Sequence, residues 1–191
     1  MKVILATTSP YRVAALKATG MPFEARGSNV EEYFDGRPDS PEELVKCLSK
    51  MKAEAVAKDC IDSLVIGMDS VAYFQGKILE KPRSKEEAFD RLNRMSGNAY
   101  EFYTGVTMID TKRKKMAQQV VMTVVEFRHI YPDEIRAYLE QDTAFNTYSH
   151  GYDPLGHLSA SFIKRLGGDP HNVLQGIPLS TIVPMIKEAL R

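Results

Sequence analysis

An aspartate and a lysine, Asp69 and Lys81, stand near the two ends of the stretch MDSVAYFQGKILEK. A carboxylate and an ammonium brought into one cleft suit a metal-assisted reaction on phosphate. The carboxylate binds the metal and the lysine neutralises phosphate charge. Leu64, Val65 and Ile66 form an apolar run that reads as a buried strand and delivers Asp69 to its carboxyl end. Residues 71–74 resume an extended pattern, and Gln75, Gly76 and Lys77 read as a hairpin turn. Ile78 and Leu79 then lead back to Lys81. The plainer alternative is an Asp69 that caps a turn and a Lys81 that is only solvated.

Other segments carry groups suited to an anion or a base. A first strand over residues 2–6 ends in Thr7, Thr8, Ser9 and Pro10, and residues 11–19 read as a helix stopped by Gly20. Backbone N–H groups at that helix start, with Arg12, would point at a phosphate. The pattern is not a P-loop, and the same residues also make an ordinary helix cap. Glu32 is a candidate second metal ligand or a solvated acid. Tyr100, Phe102 and Tyr103 suit stacking on a base, or packing within a strand. Tyr148, His150, Tyr152, Asp153 and His157 gather in the irregular stretch 141–159, which can close over a ligand. His150 and His157 match no metal-ligand spacing and read as polar loop residues.

The remaining pattern alternates strands and helices, which points to an α/β fold. A second strand reads over residues 23–30. Ser40, Pro41, Glu42 and Glu43 open a helix that runs to about Lys58, with Leu44, Val45, Leu48 and Met51 turned inward. Ser84 and Glu87 form a capping box for a helix ending near Gly97. A strand over 99–109 contains Gly105, which marks a bulge or the close approach of a ligand. The basic run 112–115 sits at a hairpin tip facing solvent, and 118–127 is the returning strand. A helix over 132–140, a short strand or helix over 161–166 and a final helix over 180–190 complete the chain. The 191 residues suffice for one domain. Lysine plus arginine equals aspartate plus glutamate, so no general attraction to nucleic acid or to a membrane surface is expected. Cys47 and Cys60 lie outside any CxxC pattern, no secretory signal is evident and no apolar run is long enough to span a membrane. A cytoplasmic protein with ordinary thiols is expected.

Six segments, taken in order, resemble the Maf family of nucleoside triphosphate pyrophosphatases: ILATTSPYR at 4–12, IGMDSV at 66–71, ILEKP at 78–82, SGNAYEFYTGV at 96–106, VEFRHIYPDEIRAYL at 125–139 and NVLQGIPL at 172–179. The resemblance covers nearly the whole chain. It implies a two-lobed, inosine triphosphatase-like α/β fold with an elongated mixed sheet flanked by helices, one domain over 1–191, and a nucleotide cleft between the lobes. It implies hydrolysis of a nucleoside triphosphate to the monophosphate and pyrophosphate with a divalent metal, Mg²⁺ or Mn²⁺, in a homodimer. The family's catalytic aspartate falls on Asp69, its motif glutamate on Glu32, its helix lysine on Lys52 and its second lysine on Lys81. Asp69 and Glu32 would hold the metal. Thr7, Ser9, Tyr11, Arg12, Tyr103 and Asp153 would bind substrate. SPYR near the start and FYTG in the middle are similar to the 7-methyl-GTP pyrophosphatases. Sister groups act on dTTP and UTP. The chain departs from the family over 146–157, NTYSHGYDPLGH, where the usual amide or acid before the second glycine is missing and Asp153 stands in for it. A nucleotide-binding protein with weakened or lost catalysis is the alternative that this departure supports.

Overall fold

The computed structural model describes residues 1–148 and 150–191. In chain order the elements are β1 (Lys2–Ala6), α1 (Pro10–Ala18), β2 (Glu24–Arg26), α2 (Pro41–Ala57), β3 (Ser63–Phe74), β4 (Lys77–Leu79), α3 (Lys85–Met95), β5 (Ala99–Asp110), β6 (Lys115–Phe127), α4 (Pro132–Gln141), β7 (Ile163–Gly167), α5 (Pro170–Gln175) and α6 (Leu179–Ala189). The strands form one sheet in the order β2-β1-β3-β5-β6-β7, with β4 also alongside β3. β1 pairs in parallel with β2 and β3, and the other pairings are antiparallel. The result is the α/β fold with a mixed sheet flanked by helices that the sequence implies. No helix among the described residues is long and apolar enough to cross a membrane.

Helix α2 covers one face of the sheet. Ser40 caps it by accepting from the Glu43 N–H, Pro41 sits in the first turn, and Glu42 and Glu43 meet the positive end of the helix dipole. Leu44, Val45, Leu48, Ser49, Ala53 and Val56 are its buried stripe. The helix backbone lies directly on two glycines. A Cβ on Gly67 of β3 would overlap the Ser49 carbonyl and the Ala53 nitrogen, and one on Gly105 of β5 would overlap the Val45 carbonyl. The close approach expected at Gly105 is therefore made by a helix rather than a ligand. β5 runs through that position in unbroken register, without a bulge.

The opposite face carries two apolar cores. One joins Leu5, Ile66, Met68, Val106 and Met108 to Leu16 of α1 and Ile182 and Ile186 of α6. The other joins Ala72, Phe74, Phe102 and Phe127 to Leu92 of α3 and to Ile135 and Tyr138 of α4. Between them on β3 and β5 stand Ser70 and Thr104, whose buried hydroxyls are 2.7 Å apart.

Several elements differ from the sequence reading. β3 does not stop before Asp69 but continues to Phe74, because β5 pairs with it along its whole length from Leu64 to Tyr73. β2 shrinks to three residues, since its pairing with β1 ends at Arg26 and the chain turns away through Gly27 and a left-handed Asn29. β6 begins at Lys115, inside the basic run, where it still pairs with Asp110. α5 has no counterpart in the sequence reading. Asp169 caps it and left-handed Gly176 ends it. The Gln75–Gly76 turn joins β3 to β4 with both residues at positive φ, as a two-residue hairpin requires. Ser84 caps α3, but Glu87 accepts from the Arg83 N–H instead of closing the box on Ser84.

Gly105→Ala is expected to cost about 3 kcal/mol or more in urea unfolding, because neither backbone can yield. Gly97→Ala, with positive φ but open space around it, is expected to cost about 1–2 kcal/mol. Equal losses in the two variants would contradict the tight seat of α2.

Candidate active site

The site arises where one edge of β3 changes neighbour. β1 pairs with β3 as far as Gly67, and β4 takes over only from Ala72. Over residues 68–71, β3 is paired with β5 on one side and with no strand on the other. Asp69 lies in this break. It sits at the end of its parallel neighbour β1, mid-way along its own strand. Crevices at the carboxyl ends of parallel strands are where open α/β sheets receive ligands.

On the helix face of the break, Lys52 of α2 reaches two carboxylates. Its Nζ is 2.5 Å from Asp69 Oδ1 and 2.6 Å from Glu32 Oε1. The Asp69 side chain is 9% exposed, that of Lys52 13% and that of Glu32 43%. The two acids respond differently. Burial raises the Asp69 carboxyl above its ordinary range, more than the charge and hydrogen bond of Lys52 lower it, and the nearby Glu32 charge raises it further. Burial also acts to raise Glu32, but the hydrogen bond and charge of Lys52, with Lys81 and Arg12 behind, outweigh it and hold Glu32 below its ordinary range. Lys81 is exposed, two residues beyond the end of β4, and acts on Glu32 through its charge.

Arg12 fills the break from the side of α1. Nη1 donates to the Met68 carbonyl at 3.0 Å, Nη2 to Ser70 Oγ at 2.8 Å and Nε to the Gly176 carbonyl at 2.7 Å. It satisfies a strand carbonyl that no neighbouring strand reaches and ties α1 to the end of α5. Burial draws its guanidinium below the usual arginine value, against the charges of Asp69 and Glu32. Ser9 caps α1 by accepting from the Arg12 N–H, and Thr7 Oγ1 accepts from the Ser9 N–H. Both hydroxyls hold the turn that presents Arg12.

The other expected site residues form no hydrogen bond or ion pair with Asp69, Glu32 or Lys52. Tyr103 is packed under α2 with its ring edge-on to Tyr73 at 6.4 Å and its hydroxyl donating to Glu101. Asp153 accepts from the Leu155 N–H at 2.9 Å and shapes its own loop. Tyr11, 36% exposed, reaches Tyr148 hydroxyl to hydroxyl at 3.3 Å. Asp69, Glu32 and Lys52 are thus in direct contact, Arg12 and Lys81 surround them electrostatically, and Tyr11 faces Tyr148. The sequence reading misses Ser70 and Thr104, the hydroxyl pair that carries Arg12. The signal was a serine directly after Asp69 in a buried strand. Among the described residues no group of three or more His, Cys, Asp or Glu gathers to hold a metal. The available donors are the two carboxylates that share Lys52.

Known proteins resemble the chain throughout its length. A curated relative from Synechococcus, named nucleoside triphosphate pyrophosphatase, is 38% identical, covering 97% of this chain and 93% of that protein. One from Syntrophus aciditrophicus, named dTTP/UTP pyrophosphatase, is 37% identical over 98% of this chain and 89% of its own length. One from Pseudomonas aeruginosa, named 7-methyl-GTP pyrophosphatase, is 34% identical over 97% and 95%. The solved structure of the Staphylococcus aureus Ham1 protein shares the fold, with a TM-score of 0.54 at 15% identity and full coverage of both chains. The profile described as Maf-like protein matches residues 2–189, and with relatives of this identity and coverage the chain belongs to the Maf-like family.

Proposed function

We propose that this protein hydrolyses a nucleoside triphosphate to the monophosphate and pyrophosphate. The observation that carries the reading is one ammonium, Lys52, held against two carboxylates at the break in β3, with Arg12 and Lys81 around it. A triphosphate brings several negative charges, and attack on phosphorus needs charge neutralisation, an oriented water and a stabilised leaving group. The oxygen of a water attacks the α-phosphorus, the bond from that phosphorus to the α–β bridging oxygen breaks, and pyrophosphate departs with the electron pair. One of the two carboxylates takes the water's proton. Asp69 is the better base, because its burial raises its proton affinity. Lys52 orients both acids, and Arg12 and Lys81 add positive charge where the polyphosphate would lie. Asp69 and Glu32 fit a Mg²⁺ or Mn²⁺ carried in with the substrate, since such an ion takes one or two carboxylates beside phosphate oxygens and water. When bound, that ion neutralises phosphate charge and polarises the phosphoryl group.

For the base, dTTP and UTP are the first substrates to test. The relatives named for them include those from Syntrophus and Clostridium perfringens, at 37% and 36% identity, ahead of those named for 7-methyl-GTP. The middle block that favoured 7-methyl-GTP bears mainly on packing. Tyr100 and Phe102 are buried core residues, and Tyr103 packs beneath α2. 7-Methyl-GTP remains the second substrate to test. The family resemblance implies a homodimer, and the cysteine usage points to the cytoplasm.

With UTP or dTTP and Mg²⁺, phosphorus NMR should show the nucleoside monophosphate and pyrophosphate. Orthophosphate with the diphosphate would place the attack elsewhere, and no turnover with any triphosphate would leave a binding protein. Asp69→Asn should lower kcat about 10²–10⁴-fold. The same variant gives a pH signature. A carboxyl whose pKa is raised on folding weakens the fold above that raised value, and the penalty vanishes below the unfolded value, near 4. Asp69→Asn should therefore raise Tm at pH 7–8, and the gain should disappear as the pH falls below about 4. Glu32→Gln should behave oppositely, because a lowered pKa supports the fold above the unfolded value and is lost as pH falls through the folded one. Thermal scans across pH check both signs.

A further inference from the structure

Two members of the Asp69 cluster and its surroundings stand on irregular chain. Glu32 lies in the connection 27–40 between β2 and α2, and Lys81 in the connection 80–84 between β4 and α3. Fixing such segments costs conformational entropy, and whatever is not fixed beforehand is charged against ligand binding. The two segments are tied to each other through Glu80. Its Oε1 is 2.8 Å from Arg37 Nη1, and its Oε2 accepts from the Tyr33 hydroxyl at 2.9 Å. The Arg37 guanidinium also lies over the Tyr33 ring, 5.0 Å from its centroid. Tyr33 directly follows Glu32, and Glu80 directly precedes Lys81. One carboxylate therefore joins the stretch that carries the acid to the stretch that carries the ammonium.

The Lys81 side of this tie is anchored independently. Arg91 of α3 donates to the Glu80 carbonyl, and its Nη2 pairs with Glu87 at 3.0 Å. Pro82 is buried. The backbone at Gly151 lies against both, since a Cβ there would come within 3.2 Å of Arg91 Nη1 and 3.5 Å of Pro82 Cδ. The main chain on either side of Lys81 is thus a fixed post. The stretch 33–37 leans on that post through its side chains, with Phe34 packed against the cluster of Leu44, Val45 and Leu48 as its other hold.

We propose that Glu80 is a positioning residue for the reaction, holding the Glu32 segment against the Lys81 segment through Tyr33 and Arg37. This rests on the nucleotide reading of the Asp69 cluster and goes beyond it by naming a residue outside the cluster that sets its geometry. Without the tie, the 33–37 stretch is ordered only as the triphosphate and its metal bind. KM then rises, while the bound complex and its kcat persist. Charge alone predicts a different pattern. Removing a carboxylate beside a polyanion site would lower KM, and removing the arginine would raise it. A tie predicts a rise for both.

The test compares the wild-type protein with Glu80→Ala, Glu80→Gln, Arg37→Ala and the double variant Glu80→Ala/Arg37→Ala, using UTP or dTTP with Mg²⁺. Glu80→Ala and Arg37→Ala should each raise KM about three- to tenfold, the range for a half-exposed ion pair with one hydrogen bond. In both, kcat should stay within about twofold of the wild type. The double variant should be no worse than Glu80→Ala, because both changes break one tie. Glu80→Gln keeps an acceptor for Tyr33 and should raise KM less than Glu80→Ala. A KM that falls or stays unchanged in the Glu80 variants would overturn the proposal, as would losses that multiply in the double variant. Limited proteolysis gives a readout independent of turnover. A glutamate-specific protease should cut after Glu31 or Glu32 at least about threefold faster in Glu80→Ala and Arg37→Ala than in the wild type, well below each Tm. Equal cutting rates would also overturn it. If the wild type hydrolyses no triphosphate the pyrophosphatase reading fails, and the cutting rates alone then decide whether Glu80 holds the segment.

Discussion

The contact on which the site depends is the seat of α2 on the glycines of β3 and β5. Lys52 reaches Asp69 and Glu32 together only because the helix backbone lies close enough to the sheet to exclude even a methyl group at Gly67 and Gly105. The helix thereby does two jobs. It buries Asp69 and so raises its proton affinity, and it supplies the ammonium that keeps a buried carboxylate and its neighbour together. Two carboxylates this near repel each other in a poorly solvated place, and one well-placed cation offsets that repulsion.

Arg12 answers a second constraint set by topology. A strand that exchanges one neighbour for another leaves a gap of main-chain groups that must find partners. The guanidinium supplies one, to the Met68 carbonyl, and places two further donors on Ser70 Oγ and the Gly176 carbonyl. The same group keeps positive potential beside the two acids. One residue thus serves the sheet and sets the local charge, and the Thr7 and Ser9 hydroxyls hold the turn that presents it.

Much of this was legible in the sequence where it depended on local pattern. The caps at Ser9, Ser40 and Ser84 and the Gln75–Gly76 turn follow from short-range rules, and most of β5 and β6 from their extended patterns. The proximity of Lys81 to the Asp69 region follows from the hairpin between them. What depended on distant pairing was not legible. The extension of β3 past Asp69 is imposed by β5, and nothing in the local pattern states it. Gly105 announced a close approach without naming what approached. Lys52 was singled out by family resemblance alone, because the three lysines on α2, Lys46, Lys50 and Lys52, look alike until the helix has a direction. His150 read as a polar loop residue, since burial of an irregular segment leaves no periodic trace. α5, six residues long, was too short for a periodic signal.

The hydroxyl pair of Ser70 and Thr104 divides the apolar packing beneath the sheet into two bodies. They share the backbones of β3 and β5, yet a polar seam interrupts the side-chain contact between them. Cooperativity in such a molecule travels chiefly along main-chain ladders. Slow amide exchange in the native state should resolve two opening units with different protection, meeting at the strand positions on either side of that seam.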